Sequence, residues 1–126
     1  MNVTVAQIKE ALEVLVTARS TLAPDVREVE YQGKVFAYPC VRYGVDTCEP
    51  NECDDYRVNF TLWAWSEAES SLEVTRIIDE LAEALDGTRT TAPIVLQVIK
   101  LQSVPRTVRD SGLWRGEAYF QCLASI

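Results

Sequence analysis

The chain of 126 residues contains no histidine. This removes the commonest general base and the commonest metal ligand together, so Ser-His and Cys-His nucleophile pairs cannot be built. Its five glycines, Gly33, Gly44, Gly87, Gly112 and Gly116, are isolated. None opens a helical pattern, which excludes a glycine-rich phosphate loop. No apolar run approaches the ~18 to 20 residues that cross a bilayer. The longest, IVLQVIKL at Ile94 to Leu101, is interrupted by polar side chains. Basic residues are also scarce: 12 Lys and Arg stand against 19 Asp and Glu, for a net charge of −7 and a pI near 4.6. Such a field repels phosphate, and no Lys/Arg cluster reverses it locally, which argues against tight nucleic-acid binding. The first residues, MNVTVAQIKEAL, lack the basic segment and continuous apolar core of a secretory signal, so synthesis and residence in the cytosol is the expectation.

What remains is the composition of a folded protein, 48% hydrophobic and 25% charged. The length fits one α+β domain spanning 1–126. Four cysteines occur, Cys40, Cys48, Cys53 and Cys122. Cys48 and Cys53 bracket CEPNEC, a spacing at the outer limit for a zinc knuckle and without a second close pair to complete it. A structural zinc, a loop disulfide formed on oxidation and plain thiols are the three readings; a cytosolic chain favours thiols. Cys40 and Cys122 sit in strand-like stretches and read as small buried hydrophobes. A paired-carboxylate hydrolase would need a sugar or phosphate site beside its acids, and nothing aromatic or basic flanks Asp54 and Asp55 in that way. No catalytic residue, metal ligand or cofactor site is assigned, and the chain does not read as an enzyme.

Periodicity gives the order of elements. Thr4 with Gln7 forms a capping box, and Ile8, Leu12, Leu15 and Val16 recur at helical spacing, predicting a helix from Thr4 to about Ser20. REVEYQGKVFAYPCVRYG suggests two short strands around a Gln32-Gly33 turn, with Pro39 marking the second as an edge strand or a bulge. VDTCEPNECDD, at Val45 to Asp55, has five acidic residues and no periodicity, and reads as a solvent-exposed loop. It is either a solvated turn or a projecting acidic loop that touches a partner or lines a pore.

YRVNFTLWAWS then alternates. Tyr56, Val58, Phe60, Leu62 and Ala64 fall on one face, and Arg57, Asn59, Thr61, Trp63 and Trp65 on the other. The first face is the core side. The two tryptophans point away from it, towards either another molecule or long loops of the same chain. Ser66 with Glu69 and Ser70 with Glu73 offer two capping boxes for a helix that ends at Leu85, before Gly87. Its apolar stripe is Val74, Ile77, Ile78, Leu81, Ala84 and Leu85. Two strand-like runs close the chain, IVLQVIKLQSV and LWRGEAYFQCLAS, joined by a turn PRTVRDSG. In the last run Trp114, Gly116, Ala118, Phe120, Cys122 and Ala124 share a face. The opposite face is also partly apolar, as expected where helices cover one side of a sheet and a neighbouring subunit the other. Arg106, Arg109 and Arg115 near the last turn are either solvated or paired with carboxylates across an interface.

The expected fold is a mostly antiparallel sheet of about four strands with two helices on one face. A βαβ crossover from the Tyr56 strand to the Ile94 strand would make the sheet mixed.

The succession of an N-terminal helix, AYPCVRYGVDT, VNFTLWAWS, an amphipathic helix closing in ALDG and VRD followed by LWRGEAYF resembles the tail completion or tail terminator proteins of the head-to-tail junction, or neck, of long-tailed bacteriophages. The resemblance covers most of the chain as a loose pattern; the CEPNEC loop departs from it. It implies a subunit without catalysis or cofactor that forms a hexameric ring on the tail tube, stops its growth and offers the surface on which the filled head docks. The implied partners are further copies of the chain, the tail tube protein and the head-tail connector protein. The implied location is the virion neck, after synthesis in the host cytoplasm. DNA would pass through the ring without sequence-specific binding, which suits a net-negative subunit to which the polymer does not stick. Under this resemblance Trp63, Trp65 and Trp114 are interface anchors, Arg106, Arg109 and Asp110 are contacts of the last turn, and Asp46, Glu49, Glu52, Asp54 and Asp55 face the lumen or the next ring. The competing readings are a small non-enzymatic ligand-binding or regulatory α+β module, with a pocket under its helices, and another neck or connector protein of similar fold.

Overall fold

The computed structural model describes residues 3–23, 25–29, 37–51 and 55–126, with the side chains of Val98, Ile99 and Asp110 outside that description. Its elements in chain order are α1 (Val5–Arg19), β1 (Asp25–Glu28), β2 (Cys40–Pro50), β3 (Tyr56–Ser66), α2 (Leu72–Leu85), β4 (Val95–Leu101), β5 (Arg106–Asp110) and β6 (Leu113–Ser125). The strands form one mixed sheet of order β1-β2-β3-β6-β4, with β5 also pairing β6. The architecture is therefore α+β, but with six strands among the described residues where the sequence suggested about four. Of these strands only β1 and β2 run parallel as neighbours. The chain leaves β3, crosses over through α2 and returns in β4, which lies parallel to β3 with β6 between them.

The capping box that starts α1 is formed: Thr4 N donates to Gln7 Oε1 at 2.8 Å and Gln7 N donates to Thr4 Oγ1 at 3.1 Å. Two of the four orphan amides at the helix start, those of Thr4 and Gln7, are satisfied in this way. Ile8, Ala11, Leu12, Leu15 and Val16 are its buried stripe.

The second helix starts differently from expectation. β3 stays paired as far as Ser66 opposite Trp114, which holds Ser66 extended and prevents it from capping. Ser66 Oγ instead donates to Glu73 Oε1 at 2.6 Å, and the cap residue is Ser71, which makes no side-chain cap bond. At the other end Gly87 takes φ +77°, the left-handed turn that stops a helix. Ala82, not Ala84, completes the buried stripe.

Two segments read as loops are strands. Val45 to Pro50 belongs to β2, which pairs β3 down to Pro50 opposite Tyr56. Only residues 51–55 are left as the connection. A bulge explains the missing periodicity: Val45 pairs Phe60 but Thr47 pairs Asn59, so Asp46 is an extra residue and the alternation changes phase. Similarly, Arg106 to Asp110 of the presumed turn is β5, joined to β6 by Ser111 and Gly112, both at positive φ (50° and 84°). Two successive positive φ values make the tight hairpin connection whose twist matches its strands.

Pro39 precedes β2, and β2 is an internal strand, so neither an edge nor a bulge falls there. The Gln32-Gly33 turn lies outside the described residues. The strands on either side of it, β1 and β2, pair in parallel.

Both helices pack on the same sheet face, α1 over β1 and β2, and α2 over β3, β6 and β4. Between them lie Val41, Val58, Phe60, Leu62, Ala64, Leu96, Ala118 and Phe120, all buried. Phe60 and Phe120, opposite each other in the β3/β6 ladder, stack at 5.1 Å between ring centres and 12° between planes. Gly116 lets α2 approach: a Cβ there would stand 3.2 Å from Ile78 Cβ and 3.3 Å from Val74 Cγ2.

Candidate functional site: the helix-free face of the sheet

Register places the remaining side chains in rows across the sheet. Arg42 of β2, Trp63 of β3, Glu117 of β6 and Arg106 of β5 are successive neighbours in one row. Cys40, Trp65, Arg115 and Val108 form the next row, and Gly44, Thr61 and Tyr119 the row on the other side. The charged residues of these rows are Arg42, Glu117, Arg106 and Arg115, and the two tryptophans lie between Arg42 or Cys40 on β2 and Glu117 or Arg115 on β6.

Trp63 lies over Gly44, where a Cβ would come within 3.0 Å of its ring and within 3.0 Å of Val29 Cγ1. Glycine at that position lets the indole lie across β2. Trp63 and Trp65 are both half-buried, so Val29 and the sheet cover part of the pair and leave part of it exposed. Around them the face is more closed than its composition suggests: Cys40, Arg42, Thr61 and Glu117 are at most 4% exposed. Arg42 donates to the Val41 carbonyl at 2.7 Å and the Asp25 carbonyl at 3.1 Å, and pairs with Asp25 Oδ1 at 3.3 Å.

Glu117 is the centre of the charged part. Its Oε2 accepts from Tyr119 Oη at 2.7 Å and from Arg106 Nε at 3.2 Å, while Oε1 pairs with Arg115 Nε at 3.0 Å. Burial pushes the Glu117 carboxyl up, but the Tyr119 hydroxyl and the two guanidinium groups outweigh it and hold the group below the ordinary carboxylate value. Donation to that carboxylate in turn raises the Tyr119 phenol. Arg106 is anchored at its base yet its side chain is 64% exposed. A buried anion therefore fixes an exposed cation beside a half-covered indole, an arrangement suited to a protein contact.

The remaining residues expected to act in contacts are spread over several places. Trp114 is on the opposite, helix-covered face, where its Nε1 donates to the Glu69 carbonyl at 3.3 Å and Arg109 lies 5.2 Å from its ring centre. Arg106 and Arg109 thus leave β5 on different faces. Asp110 pairs Leu113 by its backbone, and its side chain is outside the described residues. Asp46 and Glu49 are exposed on β2; Asp46 Oδ2 accepts from Thr61 Oγ1 at 2.5 Å. Asp55 is half-buried at the end of the connection, and Glu52 and Asp54 lie outside the described residues. Cys48 is half-buried on β2 and Cys53 lies outside the described residues. Among the described residues no group of three Cys, Asp or Glu side chains is placed to hold a metal ion, and no helix is long and apolar enough to cross a membrane.

With this geometry in hand, the fold can be compared with known proteins. No protein-family model matches the chain, and no curated protein matches it in sequence. Solved structures do match. A chain from the virion of a native gene transfer agent particle superposes with a TM-score of 0.70 at 16% identity, over 96% of this chain and 98% of that one. A second solved protein, which carries no functional name, superposes at 0.65 with 13% identity over 96% and 92%. The fold is shared from end to end in both cases.

The sequence reading missed Arg42, Glu117 and Tyr119. Alternation along β6 separates Glu117 and Tyr119 from the Trp114 face, and the β3/β6 register then sets them beside the tryptophans. Of their partners, Arg115 follows from the same alternation, whereas Arg106 follows only from the β5/β6 register, which requires recognising that the stretch before the last strand is itself a strand.

Proposed function

We propose that this chain is a structural protein of a phage-like virion, the subunit of a hexameric ring that caps the tail tube at the neck and offers the surface on which the head docks. The observation that carries this reading is the likeness, over nearly the whole of both chains, to a component of a gene transfer agent virion. The half-covered Trp63 and Trp65 beside the anchored Arg106 support it, because aromatic and arginine side chains dominate protein contacts. In this reading Trp63, Trp65 and Arg106 form one subunit contact, and Trp114, Arg109 and Asp110 lie near a second. Asp46 and Glu49, with the Glu52 to Asp55 connection, face the lumen or the next ring. The net charge of −7 lets DNA pass without adhering. No catalysis or cofactor is required.

The test is assembly. Size-exclusion chromatography with light scattering should give a symmetric oligomer, or a monomer that is recovered on purified tails. A strict monomer that never joins tails overturns the reading.

A further inference from the structure

Two strands share the edge of the sheet beyond β6, and they are finished differently. The chain closes the β4 part itself: Thr90 N donates to the Leu96 carbonyl at 2.8 Å, Leu96 N donates to Thr90 Oγ1 at 3.3 Å, and Leu101 N donates to Asp86 Oδ1 at 3.0 Å. The β5 part has no such cover. Ser111 and Gly112 make a two-residue turn, so Asp110 and Leu113 close the hairpin as a hydrogen-bonded pair. By alternation Val108 bonds Arg115 and Arg106 bonds Glu117, which turns the backbone amides and carbonyls of Thr107 and Arg109 outward. Among the described residues nothing bonds them there. β5 carries neither a proline nor a bulge, two of the devices that protect an edge from pairing.

We propose that β5 pairs antiparallel with β5 of a second copy, about a twofold axis at Val108. The occupant is a second copy because RTVRD complements itself in the one register that uses every outward group. With Val108 opposite Val108, Thr107 faces Arg109 on both sides of the axis. Each of these two pairs exchanges two backbone hydrogen bonds, four in all. The half-buried Val108 side chains meet at the centre, and Arg106 stands opposite Asp110, so no like charges face each other. Centring the axis on Thr107 or Arg109 instead leaves one bonded pair, and the second choice sets Arg109 against itself. Contacts within a cyclic ring run head to tail, so the pair describes the free protein and does not depend on the ring reading. Five residues a side make a small contact, as suits an association that opens again.

The experiment uses the free full-length chain with Cys48 and Cys53 replaced by serine. Val108→Cys, mildly oxidised over a series of concentrations, should give a dimer linked through position 108, because opposed residues of a non-hydrogen-bonded pair stand within disulfide reach. Thr107→Cys or Arg109→Cys alone should give dimer at background, since the axis does not set either against itself. Equal linkage at all three positions, or none at 108, overturns the proposal. As a second arm, Thr107→Pro removes an outward amide and leaves the inward ladder intact. It should raise the dissociation constant of the pair roughly tenfold by sedimentation equilibrium, two of the four bonds being lost. An unchanged constant overturns the proposal, as does an unsubstituted chain that stays monomeric throughout, including where a strand of a tail protein takes the edge instead. The cysteine arm decides alone where Thr107→Pro does not fold. Rings on purified tails without a free dimer overturn this pairing and leave the ring reading standing, and a dimer that never joins tails does the reverse.

Discussion

Strand β3 sends Val58, Phe60, Leu62 and Ala64 to one face of the sheet, all fully buried, and Asn59, Trp63 and Trp65 to the other, all half-buried. The same backbone and the same neighbours serve both faces, so the difference lies in what covers each. Helices that belong to the chain close the first face over a buried apolar cluster. The second holds charged groups in fixed pairs and leaves its aromatic residues partly uncovered. The first face accounts for the fold, and the second is free to be shaped by contacts.

This contrast can be broken by substitution, and the largest effect is expected on the helix-covered face. Phe60→Ala removes half of the Phe60-Phe120 stack and should cost about 3–5 kcal/mol by chemical denaturation, the usual loss for a large buried aromatic. A loss under about 1 kcal/mol would mean that this face is not the seat of stability. Next comes Trp63→Ala, which should weaken assembly by about 2 kcal/mol, or roughly 30-fold in midpoint concentration by light scattering, while destabilising the monomer less than Phe60→Ala does. Equal losses in both measurements would erase the distinction between the faces.

A smaller change is expected from Glu117→Gln, which leaves Arg106 and Arg115 beside a neutral amide and should cost about 1–3 kcal/mol of stability. Because the folded carboxyl sits below its ordinary value of 4.5, its contribution is complete above that pH and is lost as pH falls through the folded value. Stability curves of the two proteins should therefore diverge at neutral pH and converge in acid. An effect of similar size is expected at one close-approach glycine, Gly116, and the smallest at the other, Gly44. Gly116→Ala must push back the backbone-anchored Ile78 and Val74 of α2 and should cost about 1–3 kcal/mol. Gly44→Ala meets only the Trp63 ring and the Val29 side chain, and should show mainly as a shift in tryptophan emission.

How much of this was legible in the sequence depended on whether local patterns survived intact. The α1 capping box, the alternation of β3 and of β6 and the Gly87 stop are properties of a few adjacent residues, and all appear as read. The end of β2 was lost because one extra residue, Asp46, reversed the alternation there. β5 was lost because five residues between a proline and a tight turn carry too short a pattern to distinguish strand from loop. The capping box at Ser66 failed for a tertiary reason, since strand pairing there outcompetes a local cap, whereas Ser70 Oγ accepts from the Leu72 amide at 3.4 Å and the helix takes Ser71 as its cap residue. Trp63 and Trp65 were correctly placed on a face, but the charged groups that surround them come from four strands, and no local pattern carries that information.

The long strand β6 pairs β3 along one edge and, along the other, first β5 and then β4. During synthesis these three strands leave the ribosome before the segment that joins them. The earlier part of the polypeptide must therefore wait, with its half-sheet incomplete, until Leu113 to Ser125 is available to close it. Completion of the sheet is consequently dominated by pairings between residues distant in the chain.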